Sequence, residues 1–276
     1  MKEIYKDKDG NLLFRKSFCA YIDILGFSEK IIQNDLTFFN SYLKTLTEEL
    51  KHIEYMHDLS GKEGMKSFEL KIFTDNFIFG HPWFDEYGES ELGNIFEVLS
   101  HIQYTFIKSK IFIRGAISVS DLCIDENIVL GPALIESYKL ESEKAIYPRI
   151  ILSNEVVDIV KTHINYYADK KYSPQNKEYL VDIDGFHFIN YLYIIFYEYE
   201  HPTEYILNEM TEHKNIVEEC LTSHIDNYKV FDKYSWVAKY HNYFCETFIT
   251  YYQPEINLEE ILIEKSKYIR NINQII

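Results

Sequence analysis

The sequence predicts an α+β fold: a βαββαβ core extended by further strands, with helices on one face of a mixed or antiparallel sheet, and a helical region after it. Three observations carry this expectation. Strand-like and helix-like segments alternate over residues 18–195 in the order β-α-β-β-α-β, then α-β-α-β-β, and the hairpins in that order argue against a doubly wound parallel sheet. Hydrophobic residues make up 46% of the chain, with ten glycines and six prolines, so a sizeable core joined by short loops is expected. Beyond Pro202 the strand pattern ceases, which divides the chain into a domain at 1–200 and a C-terminal helical extension at 203–276.

Each element has a local reason. Residues 6–17 carry the turn pair Asp9-Gly10 and read as a lead-in hairpin. Phe18–Phe27 is an apolar run ending at Gly26, as a buried strand does, and Asp23 interrupts it. Residues 28–57 follow as one long helix, with Ser28 as its cap and Phe39, Tyr42, Leu43, Leu46, Leu50 and Ile53 at spacings of three and four. Phe68–His81 forms two strands joined at Asp75-Asn76, a pair that tolerates positive φ. Leu92, Ile95, Phe96, Leu99, Ile102 and Phe106 stripe a helix over 91–109, and Ile111–Ser120 is a long strand. A short return at 121–130 precedes Gly131-Pro132 and a helix to about Glu143. Arg149–Leu152 is a further strand, Ser153 caps a helix bearing Val156, Val157, Val160 and Ile164, and 178–195 is a hairpin around Asp184-Gly185. In the helical extension, Tyr234, Ser235, Trp236, Tyr240, His241 and Asn242 form an aromatic-polar cluster whose simplest role is packing on the core.

Composition narrows the function classes. Lys and Arg total 28 against 44 Asp and Glu, a formal charge of −16, which argues against a nucleic-acid or anionic-membrane binder. A local anion site remains open, because a metal ion screens carboxylates. The cysteines at 19, 123, 220 and 245 form no CxxC pair, and Cys19 reads as a buried thiol. The charged N-terminus has no apolar signal core and no stretch is apolar enough to span a bilayer, so no membrane partner and a cytoplasmic location are expected. Walker, GxGxxG, GxSxG and HExxH patterns are all missing from the sequence.

Asp23 is the first residue with chemistry. Nothing in Tyr21, Ile22, Ile24 or Leu25 explains a carboxylate in mid-strand, and an unpaired buried carboxylate costs several kcal/mol. Asp75, at a hairpin tip, can reach the same sheet end in a βαββαβ core, and two carboxylates suit Mg²⁺ or Mn²⁺. The plainer alternative is an ion pair between Asp23 and Arg114. Gly26 ends the strand before a helix start, where amides can meet phosphate, or it is simply a turn residue. Lys71, four residues before Asp75, points toward a neighbouring ligand or is a solvated lysine. Arg114, Lys139 and Arg149 are further cations that can meet phosphate or form structural ion pairs.

These segments, taken in order, resemble the catalytic domain of class III nucleotidyl cyclases. YIDILGFS at 21–28 resembles that family's first-strand motif, and KIFTD at 71–75 its hairpin, with Thr74 where glycine is usual. IRGAIS at 113–118, GPALIESYKLES at 131–142, RIILS at 149–153 and VDIDGFHFINYL at 181–192 follow in the family's order. The resemblance covers roughly residues 15–195 and implies a ferredoxin-like, cyclase-type core. By it, Asp23, Ile24 and Asp75 would hold two divalent metals, Mg²⁺ or Mn²⁺. The backbone from Ile24 through Gly26 to Phe27 would cradle the triphosphate, and Lys71 would read the base. Lys139 stands where the family has its transition-state arginine and Ile135 where it has an asparagine; Ile128 falls at the adenine-reading aspartate. Lysine keeps the charge but loses the bidentate fork.

The expected activity is conversion of a nucleoside triphosphate to a 3′,5′-cyclic monophosphate and pyrophosphate in a homodimer. Asp23, Asp75, Lys139 and Arg114 are its catalytic candidates. The chain also resembles stand-alone bacterial pyrimidine cyclases of phage-defence systems, which implies UTP or CTP as substrate and a separate cyclic-nucleotide effector. The alternative is a degenerate cyclase fold that binds nucleotide as a sensor or regulatory protein without turnover. A third reading is an interaction module built on the helices after residue 202.

Overall fold

The computed structural model describes residues 4–59, 67–84, 86–197 and 202–268. Strand β1 (Arg15–Ile24) opens the fold, preceded by a turn in which Asp7 Oδ1 accepts from the amides of Asp9 and Asn11. Helices α1 (Phe27–Ile32) and α2 (Leu36–Leu59) follow, then β2 (Glu69–Phe73), β3 (Asn76–Pro82), α3 (Glu89–Lys108) and β4 (Ile113–Ile124). Next come β5 (Val129–Leu130), α4 (Pro132–Lys144), β6 (Ile150–Leu152), α5 (Asn154–Tyr166), α6 (Gln175–Glu178), β7 (Tyr179–Val181) and β8 (His187–Ile189). The C-terminal region holds α7 (Thr203–Ser223) and α8 (Tyr228–Phe244), which runs on as a π-helical turn over Cys245–Ile249.

The fold is α+β with one mixed eight-stranded sheet in the order β2-β3-β1-β4-β6-β8-β7, and β5 pairs with β4 off this path. All neighbours are antiparallel except β4 and β6. Phe18, Ala20, Ile22 and Ile24 of β1 point into the main core, where Phe77 of β3 meets Phe106 of α3 at 5.6 Å. Cys19 points the other way, into a smaller cluster with Tyr5, Leu122, Ile124 and Ala133 of α4. Helices therefore cover both faces of the sheet, not one. The continuous apolar run of β1 already required this, since a strand exposed on one face would alternate.

The long helix expected over 28–57 is two helices. Asn34 takes φ of 51°, and Asp35 Oδ1 accepts from the Phe38 amide at 2.9 Å, so the chain stops and restarts. The buried face of α2 carries Tyr42, Thr45, Glu49 and Ile53, while Leu43 and Leu50 are exposed. The offset puts Glu49 against His101 of α3 at 3.0 Å. The expected stripe of α3 is buried throughout, and Ser153 caps α5 by accepting from the Val156 amide. The 178–195 hairpin ends at Ile189, and Tyr191–Phe196 is a 3₁₀ helix. The Tyr240 hydroxyl turns the chain there, accepting from the Leu192 amide and donating to Asn190 Oδ1.

Helices α7 and α8 share the sheet's core. Lys108 of α3 pairs with Glu209 and Glu212 of α7 at 3.0 and 3.1 Å, and Phe188 of β8 packs on Trp236 and Tyr240 of α8. The expected aromatic-polar cluster thus packs on the sheet. The boundary expected at 200–203 runs into residues 198–201, and the last part of the extension into 269–276, both outside the described residues. All four cysteines are free and buried. Among the described residues no helix is long and apolar enough to cross a membrane.

Candidate active site

The end of β1 and the β2–β3 turn meet on the face covered by α4. Asp23 lies opposite Asn76 of β3 and Arg114 of β4 in the ladder. The turn is Thr74-Asp75, one residue earlier than expected, because Phe73 and Asn76 are the last pair. Its positive φ of 55° falls on Thr74, where glycine would be unstrained. Three contacts hold it: the Ile24 amide donates to Asp75 O, the Tyr42 hydroxyl to Thr74 O, and the Thr74 hydroxyl to Asp75 Oδ1. Helix α2 thereby positions Asp75 through Tyr42.

Asp23 pairs with Asn76, and the Ile24 amide bonds Asp75 O at 3.2 Å, so the two aspartates stand at one sheet end, close enough for each to act on the other's charge. Burial pushes the Asp23 carboxyl above its ordinary value; Arg114 opposes the shift and the facing Asp75 adds to it. Arg114 Nε donates to Asp23 Oδ2 at 3.1 Å, so the plain ion pair weighed above is present. Arg114 also reaches a residue that sequence reasoning missed: Nη2 lies 2.9 Å from Glu141 Oε1 of α4. Burial raises Glu141 to about 7, with Arg114 opposing and Asp23 and Asp75 contributing. A signal for it existed. Ala133, Ser137 and Glu141 form the buried stripe of α4 at a spacing of four, and a carboxylate on a small-residue stripe needs a partner.

The other candidates are distributed as follows. Gly26 takes φ of 77° with open space where a Cβ would stand, so backbone conformation rather than close approach requires glycine. The amides of Ile24 and Leu25 are bonded to Asp75 O and Phe112 O, and α1 has six residues, so the anion cradle there is smaller than expected. Ile24 and Phe27 bury their side chains in the core and can meet a ligand only through backbone. Lys71 aligns with Ile78 and Tyr21 on the α4 face, and its charge also acts on Asp125. Lys139 does not join the carboxylates within one chain. It sits two residues before Glu141, about 200° around the helix, and lines an open groove of about 650 Å³ with Phe14, Leu130, Ile135 and Glu136. Arg149, considered above for phosphate, is fully buried and held by Asp182 and Asp184.

The arrangement offers paired oxygen donors for a hard cation and a guanidinium for an anion. Among the described residues no three His, Cys, Asp or Glu side chains are grouped as a metal site, so Asp23 and Asp75 carry that possibility. No family model and no curated protein matches the chain.

Proposed function

We propose that the chain is a metal-dependent nucleotidyl cyclase, converting a nucleoside triphosphate, with UTP and CTP as first candidates, to a 3′,5′-cyclic monophosphate. The observation that carries this reading is the placement of Asp23 and Asp75 at the same sheet end beside Arg114. The strand order β2-β3-β1-β4, antiparallel throughout, supports it, being the order of a ferredoxin-like βαββαβ core.

The donor set fits Mg²⁺ or Mn²⁺. Asp23 Oδ2 accepts from Arg114 and Asp75 Oδ1 from Thr74 and Asn76, so each facing carboxylate retains a second oxygen. A divalent ion there would be held by Asp23, Asp75 and the Ile24 backbone, and would relieve the repulsion between the carboxylates. Bound, it would acidify the ribose 3′-hydroxyl and neutralise charge on the α-phosphate. In the reaction the 3′-oxygen bonds the α-phosphorus, the bond to the β-phosphate oxygen breaks, and pyrophosphate leaves with the electron pair. The hydroxyl proton passes to solvent. Arg114, held by two carboxylates, can exchange one of them for a phosphate oxygen. Lys71 faces the same side for the base.

The groove on α4 supports a homodimer. Phe14, Leu130, Ile135 and Tyr138 are exposed there, and a second copy would cover them and face Lys139. A separate cyclic-nucleotide effector and a role in antiviral defence complete the reading. The Arg114 ion pair on Asp23 and the outward Lys139 favour a second reading, a nucleotide sensor without turnover.

Incubation with ATP, GTP, CTP and UTP plus Mn²⁺, with products identified by mass spectrometry, separates these. A cyclic monophosphate that vanishes in folded Asp23→Ala and Asp75→Ala proteins is the expected result. Binding without product supports the sensor. A well-folded Asp75→Ala protein with full turnover overturns the cyclase.

A further inference from the structure

We infer that Lys233 of α8 completes the anion-binding side of this site from within the same chain, taking a phosphate of a polyphosphate ligand alongside Arg114. The inference rests on the nucleotide reading above and assigns a role to the C-terminal helices that the sequence did not suggest.

The start of α8 is pinned against the site by rings. Tyr234 packs edge-on against Phe112 at 4.8 Å, and Trp236 stacks on Tyr147 at 5.9 Å. Phe112 O accepts the Leu25 amide from the turn after β1, and Arg114 lies two residues further along β4. Tyr147 follows Ala145, whose carbonyl accepts from Arg114 Nη1 at 3.2 Å. Lys233 immediately precedes Tyr234 in the same helical turn. The charges that act on it are Arg114, Asp23 and Glu29, from β4, β1 and the first turn of α1.

Lys233 is half-buried, and among the described residues it makes no hydrogen bond or ion pair. Burial and the neighbouring guanidinium both disfavour its charge, and its lowered pKa reflects them in that order. Buried lysines are ordinarily paired. Two cations near enough for one to disfavour the other's charge stand out in a chain with a net charge of −16. A ligand with several negative charges satisfies both, while a cation on Asp23 and Asp75 would remove the carboxylate that now offsets them. A polyphosphate chain has this chemistry, with charge at one end for the carboxylate-bound metal and further oxygens for Lys233.

The test is calorimetric titration of the full chain with inorganic tripolyphosphate in Mg²⁺ buffer. Lys233→Gln should bind at least tenfold more weakly, Lys233→Arg close to wild type, and Lys239→Gln, an exposed lysine on the same helix, without change. Lys233→Met keeps the packed stem and replaces the Gln variant if that one melts early. Wild-type affinity in Lys233→Gln or Lys233→Met, with altered melting alone, would make the lysine a structural counter-charge and overturn the inference while leaving the cyclase reading intact. A wild-type protein that binds neither tripolyphosphate nor any nucleoside triphosphate overturns both.

Discussion

Arg114 and Arg149 are each held by two carboxylates, and their surroundings separate their roles. Arg149 is fully buried, with the rings of Tyr147, Phe186, Phe188 and Trp236 between 5.4 and 5.9 Å from its guanidinium and Trp236 donating to Asp182. Removing the Asp182 carboxylate leaves the buried guanidinium with Asp184 alone and takes the charged acceptor from Trp236, so Asp182→Asn should cost about 2 kcal/mol, measured by urea unfolding followed through tryptophan fluorescence. The Arg114 side chain is 24% exposed and accessible to a ligand. Arg114→Gln should weaken nucleoside triphosphate binding about tenfold, or about 1.4 kcal/mol, with a smaller effect on unfolding; equal affinity would remove Arg114 from the site. Asp23 was legible as a candidate because a charge in an apolar strand needs a partner. Arg149 was not separable from Arg114 in the sequence, because both lie in strand-like apolar runs and only packing seals one of them.

Among elements, α5 and the C-terminal strap are held by identifiable bonds. Ser153→Ala removes a buried cap and should cost about 1 kcal/mol, read by chemical denaturation. The strap after residue 256 docks on α8 through Asn242, whose side chain accepts from the Ile263 amide at 2.9 Å and donates to Ile263 O at 2.8 Å. Asn242→Ala should raise hydrogen exchange at Ile263 and hasten proteolysis there while β1 remains protected. Every residue of the stripe that periodicity predicted for α3 is buried, and the buried face is wider, taking in Val98, Tyr104 and Ile107 as well. In α2 the same reading misplaced Leu43 and Leu50, because the polar pair Glu49 and His101 draws the helix around.

At the scale of the whole molecule, acid sensitivity should arise in the helical region. His213 and His241 are buried in a chain of hydrogen bonds from the Tyr191 hydroxyl to His213, from His213 to His241, and from His241 to Ile261 O. That direction leaves each imidazole neutral. Burial lowers both, His241 to about 4, against about 6.5 when unfolded. The unfolded state therefore binds protons first. The stabilisation is complete above about pH 6.5 and is lost as pH falls toward 4, by about 3 kcal/mol for His241 alone. Glu178, raised by burial to about 7, acts in the opposite sense. The measurable expectation is thus a difference: melting temperature should fall less between pH 7 and 5 in a His213→Gln/His241→Gln protein than in wild type. An unchanged slope in that variant would remove the pair as the acid trigger.

The order of strands and helices, the alternation that builds the α3 stripe and the two anomalous aspartates could all be read along the chain, because each depends on neighbours within a turn or a hairpin. Asp35, which accepts from the Phe38 amide, shows the limit of that reading: the residue that splits the first long helix looks like any other solvent-facing acid. Three features depend on distant segments, and whatever local mark they leave does not name the partner. Cover on the second sheet face comes from α4, more than a hundred residues after β1. Glu141 gains its meaning from Arg114, and Lys233 gains its own from a strand end more than a hundred residues earlier. A side chain's partner across the fold is set by how the sheet and helices stack, and stacking is a property of the assembled core rather than of any window of sequence.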